Sequence, residues 1–231
     1  MIYNNNQLQE YLKNDWILTM LKEEENEINK DFRSHIWLTE MDNKRMIYAD
    51  IYGEYLKDKS DTRILDVGGG FSSLTSVLLR NCDYTLIDFF AHDEKEKIEK
   101  VKQQYNKDFL SDREWSAEIP EDYDVVIAND IFPDVDQRME MFIDTYLPHC
   151  KEMKLLLTFY NKPQWYLTRR TDDTELLTFL SWDGEITALK LRKYLDRMDI
   201  DETELEEMKN TQESIYRNGR QVAYVKLKGD L

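Results

Sequence analysis

Residues 64–75 read Ile-Leu-Asp-Val-Gly-Gly-Gly-Phe-Ser-Ser-Leu-Thr, and no other stretch of the chain narrows its possible folds as far. Ile64, Leu65 and Val67 predict a short buried strand with Asp66 near its end. Three consecutive glycines, Gly68, Gly69 and Gly70, then let the backbone turn sharply and approach a ligand that any Cβ would hold away. Ser72 and Ser73 are suited to cap a helix continuing through Leu74, Val77, Leu78 and Leu79, whose first N–H groups face the resulting gap.

Three ligand classes use such a turn, and the flanking residues separate them. A phosphate-cradling loop continues with Lys and Ser or Thr, whereas Phe71-Ser72-Ser73 follows here, so that reading is set aside. A dinucleotide fingerprint needs glycine at its first, third and sixth places. Counting from Gly68 gives Gly68, Gly70 and Ser73, a partial match that leaves an NAD(P)-dependent oxidoreductase open. The third class is S-adenosylmethionine.

Asp66-Val67-Gly68-Gly69-Gly70 resembles the first motif of the class I S-adenosylmethionine-dependent methyltransferases, and the family's later landmarks follow in order. The apolar run Tyr84-Thr85-Leu86-Ile87 ends in Asp88, 22 residues after Asp66, where a carboxylate can accept from both vicinal ribose hydroxyls. Asp112 precedes Asp124, in the run Tyr123-Asp124-Val125-Val126-Ile127-Ala128, by 12 residues. That spacing resembles the family's adenine-contacting acid and fourth strand. The resemblance covers roughly residues 45 to 160 and the C-terminal hairpin. It implies S-adenosylmethionine as cofactor, contacted by Asp66, Gly68, Gly69, Gly70, Asp88, Phe89, Asp112, Arg113 and Asn129. It also implies a doubly wound, mostly parallel seven-stranded α/β sheet with an antiparallel C-terminal strand.

The chain has 231 residues, enough for one α/β domain with appendages. Its formal charge of −16 argues against nucleic acid as the acceptor, because such binding relies on Lys and Arg neutralising phosphates. After the fourth strand, Ala128-Asn129-Asp130-Ile131-Phe132-Pro133 also lacks the Asn/Asp-Pro-Pro-Tyr run of enzymes that methylate exocyclic base amines. No apolar run approaches the ~20 residues of a membrane span, and the polar start Met1–Asn6 does not read as a signal peptide, so a cytoplasmic protein is expected. Cys82 and Cys150 have no metal-ligand spacing; free thiols and no metal are expected.

Along the rest of the chain, Leu8, Tyr11, Leu12, Trp16, Ile17, Met20 and Leu21 have helical spacing, predicting an appended helix over 8–30. A second helix is expected over about 43–57, with Met46, Ile47, Ile51 and Leu56 near one face. The family resemblance makes residues 1–45 a helical cap and 46–231 the cofactor-binding domain. A charged helix is expected over 94–105, and another after Asp134 with Met139, Met141, Phe142 and Tyr146 inward. The fifth strand is expected over 154–160 and a further helix over 186–198. Ser214–Arg217 and Gln221–Leu227 flank Asn218-Gly219, a type I′ hairpin signal.

Acceptor chemistry is expected after the fourth and fifth strands. Asp130 is the first candidate for a base or acceptor-positioning group; its plainer reading is a cap or turn residue. Asp134 and Asp136 are read as carboxylates at a helix start. His35 in the cap and His92 after Asp88 are further base candidates, and His149 is read as structural. In the insertion at 161–185, Lys162, Arg169 and Arg170 lie among Tyr160, Trp165 and Tyr166. Guanidinium forks and aromatic faces suit an anionic, phosphorylated or sugar-like acceptor, such as a polysaccharide or capsule precursor; a surface loop paired to Asp172, Asp173 and Glu175 is the alternative. The expected function is methyl transfer to oxygen or nitrogen of such a molecule, by a monomer or homodimer. A methyltransferase-fold binding protein without turnover is the alternative.

Overall fold

The computed structural model describes residues 2–105, 108–169, 176–210 and 213–231. They form two compact units, Asn6–Glu118 and Met1–Asn5 with Ile119–Leu231.

In the chain leading into the first unit, the expected helix over 8–30 is broken: α1 spans Asn5–Tyr11 and α2 Trp16–Glu23. The break lies at Asp15, whose side chain competes for backbone donors. Its Oδ1 accepts from the Leu18 N–H at 3.2 Å and the Tyr11 hydroxyl at 2.6 Å, and its Oδ2 takes Arg45 Nε at 2.8 Å. Arg45 is buried and donates its Nη1 to the carbonyls of Leu38 and Thr39. It therefore ties α2 to α3 (Arg33–Glu40) and to its own helix α4 (Asp42–Lys57). The predicted α4 face is buried, with Tyr52 and Tyr55 added to it.

After α4 come β1 (Arg63–Val67), α5 (Ser73–Asn81), β2 (Asp83–Ile87), α6 (Lys95–Gln104) and β3 (Leu110–Ser111). β1 pairs with β2, and β2 with β3, all parallel. Ile64 to Val67 are buried at every position, the signature of a parallel strand covered on both faces.

In the second unit, β4 (Tyr123–Phe132) is followed by α7 (Met139–Tyr146), β5 (Cys150–Phe159), the strands β6 (Gln164–Arg169) and β7 (Leu176–Ser181), α8 (Gly184–Leu191), α9 (Glu202–Asn210) and β8 (Gln221–Lys228). β4 and β5 are parallel, with a register shift between Asn129 and Phe132, and β5 and β8 are antiparallel. The strand order is β3-β2-β1-β4-β5-β8, so the α/β class and the antiparallel last strand are as expected.

The sheet has six strands, not seven. Within residues 161–185, β6 and β7 pair with each other in a separate two-stranded sheet. β8 meets single bridges instead, Ile2 to Ala223 and Met198 to Leu227. The expected hairpin is also corrected. Ser214–Arg217 forms no strand, and β8 takes a register of eight pairs along β5, from Glu152–Lys228 to Phe159–Gln221. Type I′ geometry needs positive φ at both central residues. Here Gly219 has φ +82° and Asn218 does not share it.

Two further helices differ from expectation. Met141 is half exposed while Met139, Phe142 and Tyr146 are buried, because positions 139, 142 and 146 follow the helical period and 141 falls off it. α8 stops at Leu191 and continues as a 3₁₀ turn, Arg192–Arg197. α9 escaped the periodicity because Leu205 and Met208 are its only buried residues.

Candidate functional site

The first unit gathers polar groups around the glycine turn. Asp66 is 1% exposed. Its Oδ2 accepts from the hydroxyls of Tyr52 at 2.9 Å and Tyr84 at 2.6 Å, and its buried Oδ1 has no hydrogen-bond partner. Burial raises the Asp66 pKa to about 7 against the opposing pull of the two tyrosine hydroxyls. The same burial, with Asp66 beside them, drives the Tyr52 and Tyr84 phenols well up.

The turn has the backbone that the glycines make possible. Gly70 has φ +68°, and a Cβ there would collide with Ser34 Oγ; a Cβ on Gly69 would strike the Asp66 carboxylate. The Gly70 N–H donates to Asp88 Oδ2 at 2.9 Å, and Asp88 Oδ1 accepts from Phe90 N–H at 2.7 Å. Burial raises the Asp88 pKa, and these two backbone donors oppose the shift. Ser72 caps α5 as expected, its N–H donating to Thr75 Oγ1 at 3.0 Å. Tyr48, one turn before Tyr52 on α4, donates to the Gly69 carbonyl at 2.7 Å.

Sequence reading missed Ser34, Tyr48, Tyr52 and Tyr84. The i, i+4 spacing of Tyr48 and Tyr52 was the available signal for two of them.

The other candidates of this unit are distributed around that cluster. Phe89 is 42% exposed. Asp112 pairs with Lys102 at 3.2 Å, and Arg113 is exposed. His35 is buried, with Nδ1 3.3 Å from Ser73 Oγ and Nε2 3.1 Å from Glu25 Oε2. Both ring nitrogens thus have partners, and the imidazole holds α3 to α5. His92 is exposed, its ring edge-on to Trp37 at 5.3 Å.

The second unit carries a separate cluster at the end of β4. Asn129 is buried, and Asp130 has φ +58°. Asp130 and Phe90 are the only non-glycine residues at positive φ among the described residues, and both follow a candidate site residue. Such strain persists where the surroundings over-determine it. Arg220, which no sequence motif marks, places Nη2 2.8 Å from Asp130 Oδ1 and 3.3 Å from Asp134 Oδ2. Its guanidinium lies over the Tyr216 ring at 5.5 Å. Burial, then Asp130, raises the Tyr216 phenol; burial, then Asp134, raises that of Tyr160.

Asp134 and Asp136 do not begin a helix, since α7 starts at Met139; Asp136 is buried against Arg138 at 2.7 Å. His149 pairs with Asp122 at 3.0 Å. Trp165 is 69% exposed on β6, and Lys162 is exposed. Arg170, with Asp172, Asp173 and Glu175, lies outside the described residues, as do the side chains of Tyr166 and Arg169. Among the described residues, no group of three or more His, Cys, Asp or Glu is placed to hold a metal ion, and no helix is long and apolar enough to cross a membrane.

The geometry suits a cationic or hydroxylated ligand at the glycine turn. A buried carboxylate oxygen without a donor gains from a ligand N–H or a positive charge. Asp88 retains lone pairs for hydroxyls, since each oxygen accepts only one backbone N–H. These features fit the amino, sulfonium and ribose groups of S-adenosylmethionine.

No protein-family model matches the sequence, and no curated protein sequence matches it. Solved structures do. A 1,6-didemethyltoxoflavin N1-methyltransferase from Burkholderia thailandensis, with 1,6-didemethyltoxoflavin and S-adenosylhomocysteine bound, matches at 12% identity and TM-score 0.49, over 99% of this chain and 92% of that one. Coclaurine N-methyltransferase, bound to N-methylheliamine and S-adenosylhomocysteine, matches at 16% identity and TM-score 0.45, over 81% and 71%. A putative S-adenosylmethionine-dependent methyltransferase from Listeria monocytogenes matches at 11% and 0.45, over 78% and 97%.

Proposed function

We propose that this chain is an S-adenosylmethionine-dependent methyltransferase acting on oxygen or nitrogen of a small polar metabolite. The observation that carries the reading is the partnerless Asp66 Oδ1 beside a glycine turn tied to Asp88. S-adenosylmethionine, when bound, supplies an electrophilic methyl carbon. Asp88 would hold the ribose hydroxyls, Asp66 would face the cationic part, and Gly68, Gly69 and Gly70 would let the backbone approach; Phe89, Asp112, Arg113 and Asn129 complete the proposed contacts.

On the acceptor side, Asp130 would orient the nucleophile and take its proton. Positioning is the larger effect, worth about 7–11 kcal/mol against the roughly 10²–10⁴-fold that a base contributes. His35, engaged at both nitrogens, has no part in this scheme, and His92 remains the alternative base. Tyr160, Trp165, Tyr166, Arg169 and Arg170 would recognise an anionic, phosphorylated or sugar-like acceptor. Residues 1–45 would act as a cap, 46–231 as the cofactor-binding domain and 161–185 as its acceptor-side insertion, in a cytoplasmic monomer or homodimer.

Calorimetric titration with S-adenosylhomocysteine tests the cofactor. Binding is expected in the parent chain, weakened at least about tenfold in Asp88→Ala, because hydrogen bonds to a charged group are worth about 1.5–3 kcal/mol. Binding of NADH without S-adenosylhomocysteine would instead favour the oxidoreductase. A screen of phosphorylated and glycosyl acceptors then tests transfer. Asp130→Ala should abolish it with cofactor affinity intact, and absence of transfer from every acceptor class would favour a binding protein without turnover.

A further inference from the structure

Asp130 stands in a backbone conformation that a non-glycine residue adopts only when something holds it there. The left-handed region costs an L-residue roughly 1–2 kcal/mol, less for Asp than for most. In Asp130 this conformation coincides with the register shift between Asn129 and Phe132 on β4. The bulged strand thus re-aims one carboxylate instead of continuing the ladder.

What holds that carboxylate is Arg220. One terminal nitrogen reaches both Asp130 and Asp134, 90 and 86 positions away in sequence, from just before β8. The guanidinium is itself fixed from below by the Tyr216 ring, and its Nε is buried without a hydrogen-bond partner. Arg220, Asp134, Tyr160 and Tyr216 are among the ionisable groups around Asp130. Arg220 is the cation of that set, and one of its nitrogens is shared between the two carboxylates.

We infer that Arg220 is a positioning residue of the acceptor site, fixing the aim and the ionised state of the Asp130 carboxylate through a bridge shared with Asp134. This rests on the reading of Asp130 as the acceptor-side group. The consequence is mechanistic: a carboxylate bound to a guanidinium is a weak base with a fixed direction. Asp130 therefore acts mainly by orienting a donor hydrogen of the acceptor, and proton removal is a smaller part of its effect. A nucleophile that already carries a free lone pair, such as a neutral amine nitrogen, needs no proton removed before it attacks and fits that arrangement best; a hydroxyl is served mainly through the hydrogen that Asp130 orients.

The test is a titration of the intact protein carrying ¹³Cγ-labelled aspartate, with the Asp130 resonance assigned through Asp130→Asn. Replacing Arg220 by Gln is expected to raise the Asp130 midpoint by about one pH unit or more, since loss of an adjacent opposite charge moves a carboxylate by roughly 1–3 units. S-adenosylhomocysteine affinity, measured by calorimetry, should stay within about twofold. An unmoved midpoint in R220Q overturns the inference. So does a loss of S-adenosylhomocysteine affinity in R220Q, which would make the bridge a general support of the fold. Should R220Q fail to fold, Asp134→Asn carries the test, because it removes only a neighbouring negative charge. The Asp130 midpoint should then fall, and a constant midpoint overturns the proposal. The parent reading fails separately, by absence of S-adenosylhomocysteine binding in the unmutated chain.

Discussion

At the scale of single residues, the strongest demands come from backbone and buried charge. Gly70 sits at φ +68° with Ser34 Oγ where a Cβ would go. Gly70→Ala should cost roughly 1–3 kcal/mol of stability, read by denaturant unfolding, and should weaken S-adenosylhomocysteine binding in calorimetry. At Asp130 the same backbone argument predicts a contrast: Asp130→Gly keeps stability within about 1 kcal/mol of the parent, while Asp130→Val loses more, because a β-branched residue tolerates positive φ poorly. Asp66 adds a pH dependence whose sign is fixed by its raised pKa. Folding favours its protonated form, so its contribution is full below the ordinary value of 3.8 and lost as pH rises through about 7. Between pH 4 and 7 the unmutated chain should therefore lose more stability than Asp66→Asn, measured by urea unfolding at each pH.

At the scale of elements, the N-terminal helices depend on one ion pair as much as on apolar contact. Asp15 caps α2, accepts from Tyr11 and pairs with buried Arg45, whose other donors serve carbonyls near the end of α3. Asp15→Ala leaves a guanidinium buried without its counter-charge and removes a cap, so a loss of about 3 kcal/mol or more is expected, seen as a lower midpoint in thermal unfolding. Arg45→Met, which removes the buried charge along with its partner's need for it, should cost less than Asp15→Ala. The reverse order would show that the Arg45 bonds to the Leu38 and Thr39 carbonyls outweigh the ion pair, and a small loss in both variants would show that apolar packing joins the helices.

At the scale of the whole molecule, 47 acidic against 31 basic residues give the formal charge of −16. Nucleic-acid affinity comes largely from counterions released as Lys and Arg neutralise phosphates. No binding to transfer RNA or duplex DNA tighter than the nonspecific range of about 10⁻⁴–10⁻⁶ M is expected at physiological salt, checked by fluorescence anisotropy. Salt-sensitive binding well below that range would contradict the small-molecule reading.

The alternation of apolar runs and helical periods determined, without coordinates, that this is an α/β chain, where β1, β2, β4 and β5 lie, and that a glycine turn follows Asp66. Those features are local: a run buried on both faces, a capped helix and residues able to take positive φ are written in a dozen consecutive positions. Pairing and burial were another matter. That β8 joins β5 and not Ser214–Arg217, that β6 and β7 form their own sheet, and that α9 exists at all depended on competition among distant strands and on burial of only two α9 side chains. The same holds for the site. Asp66 and Asp88 were legible as single residues, but the tyrosines that share Asp66, and Arg220 that aims Asp130, are neighbours only in space, so only the tertiary structure could supply them.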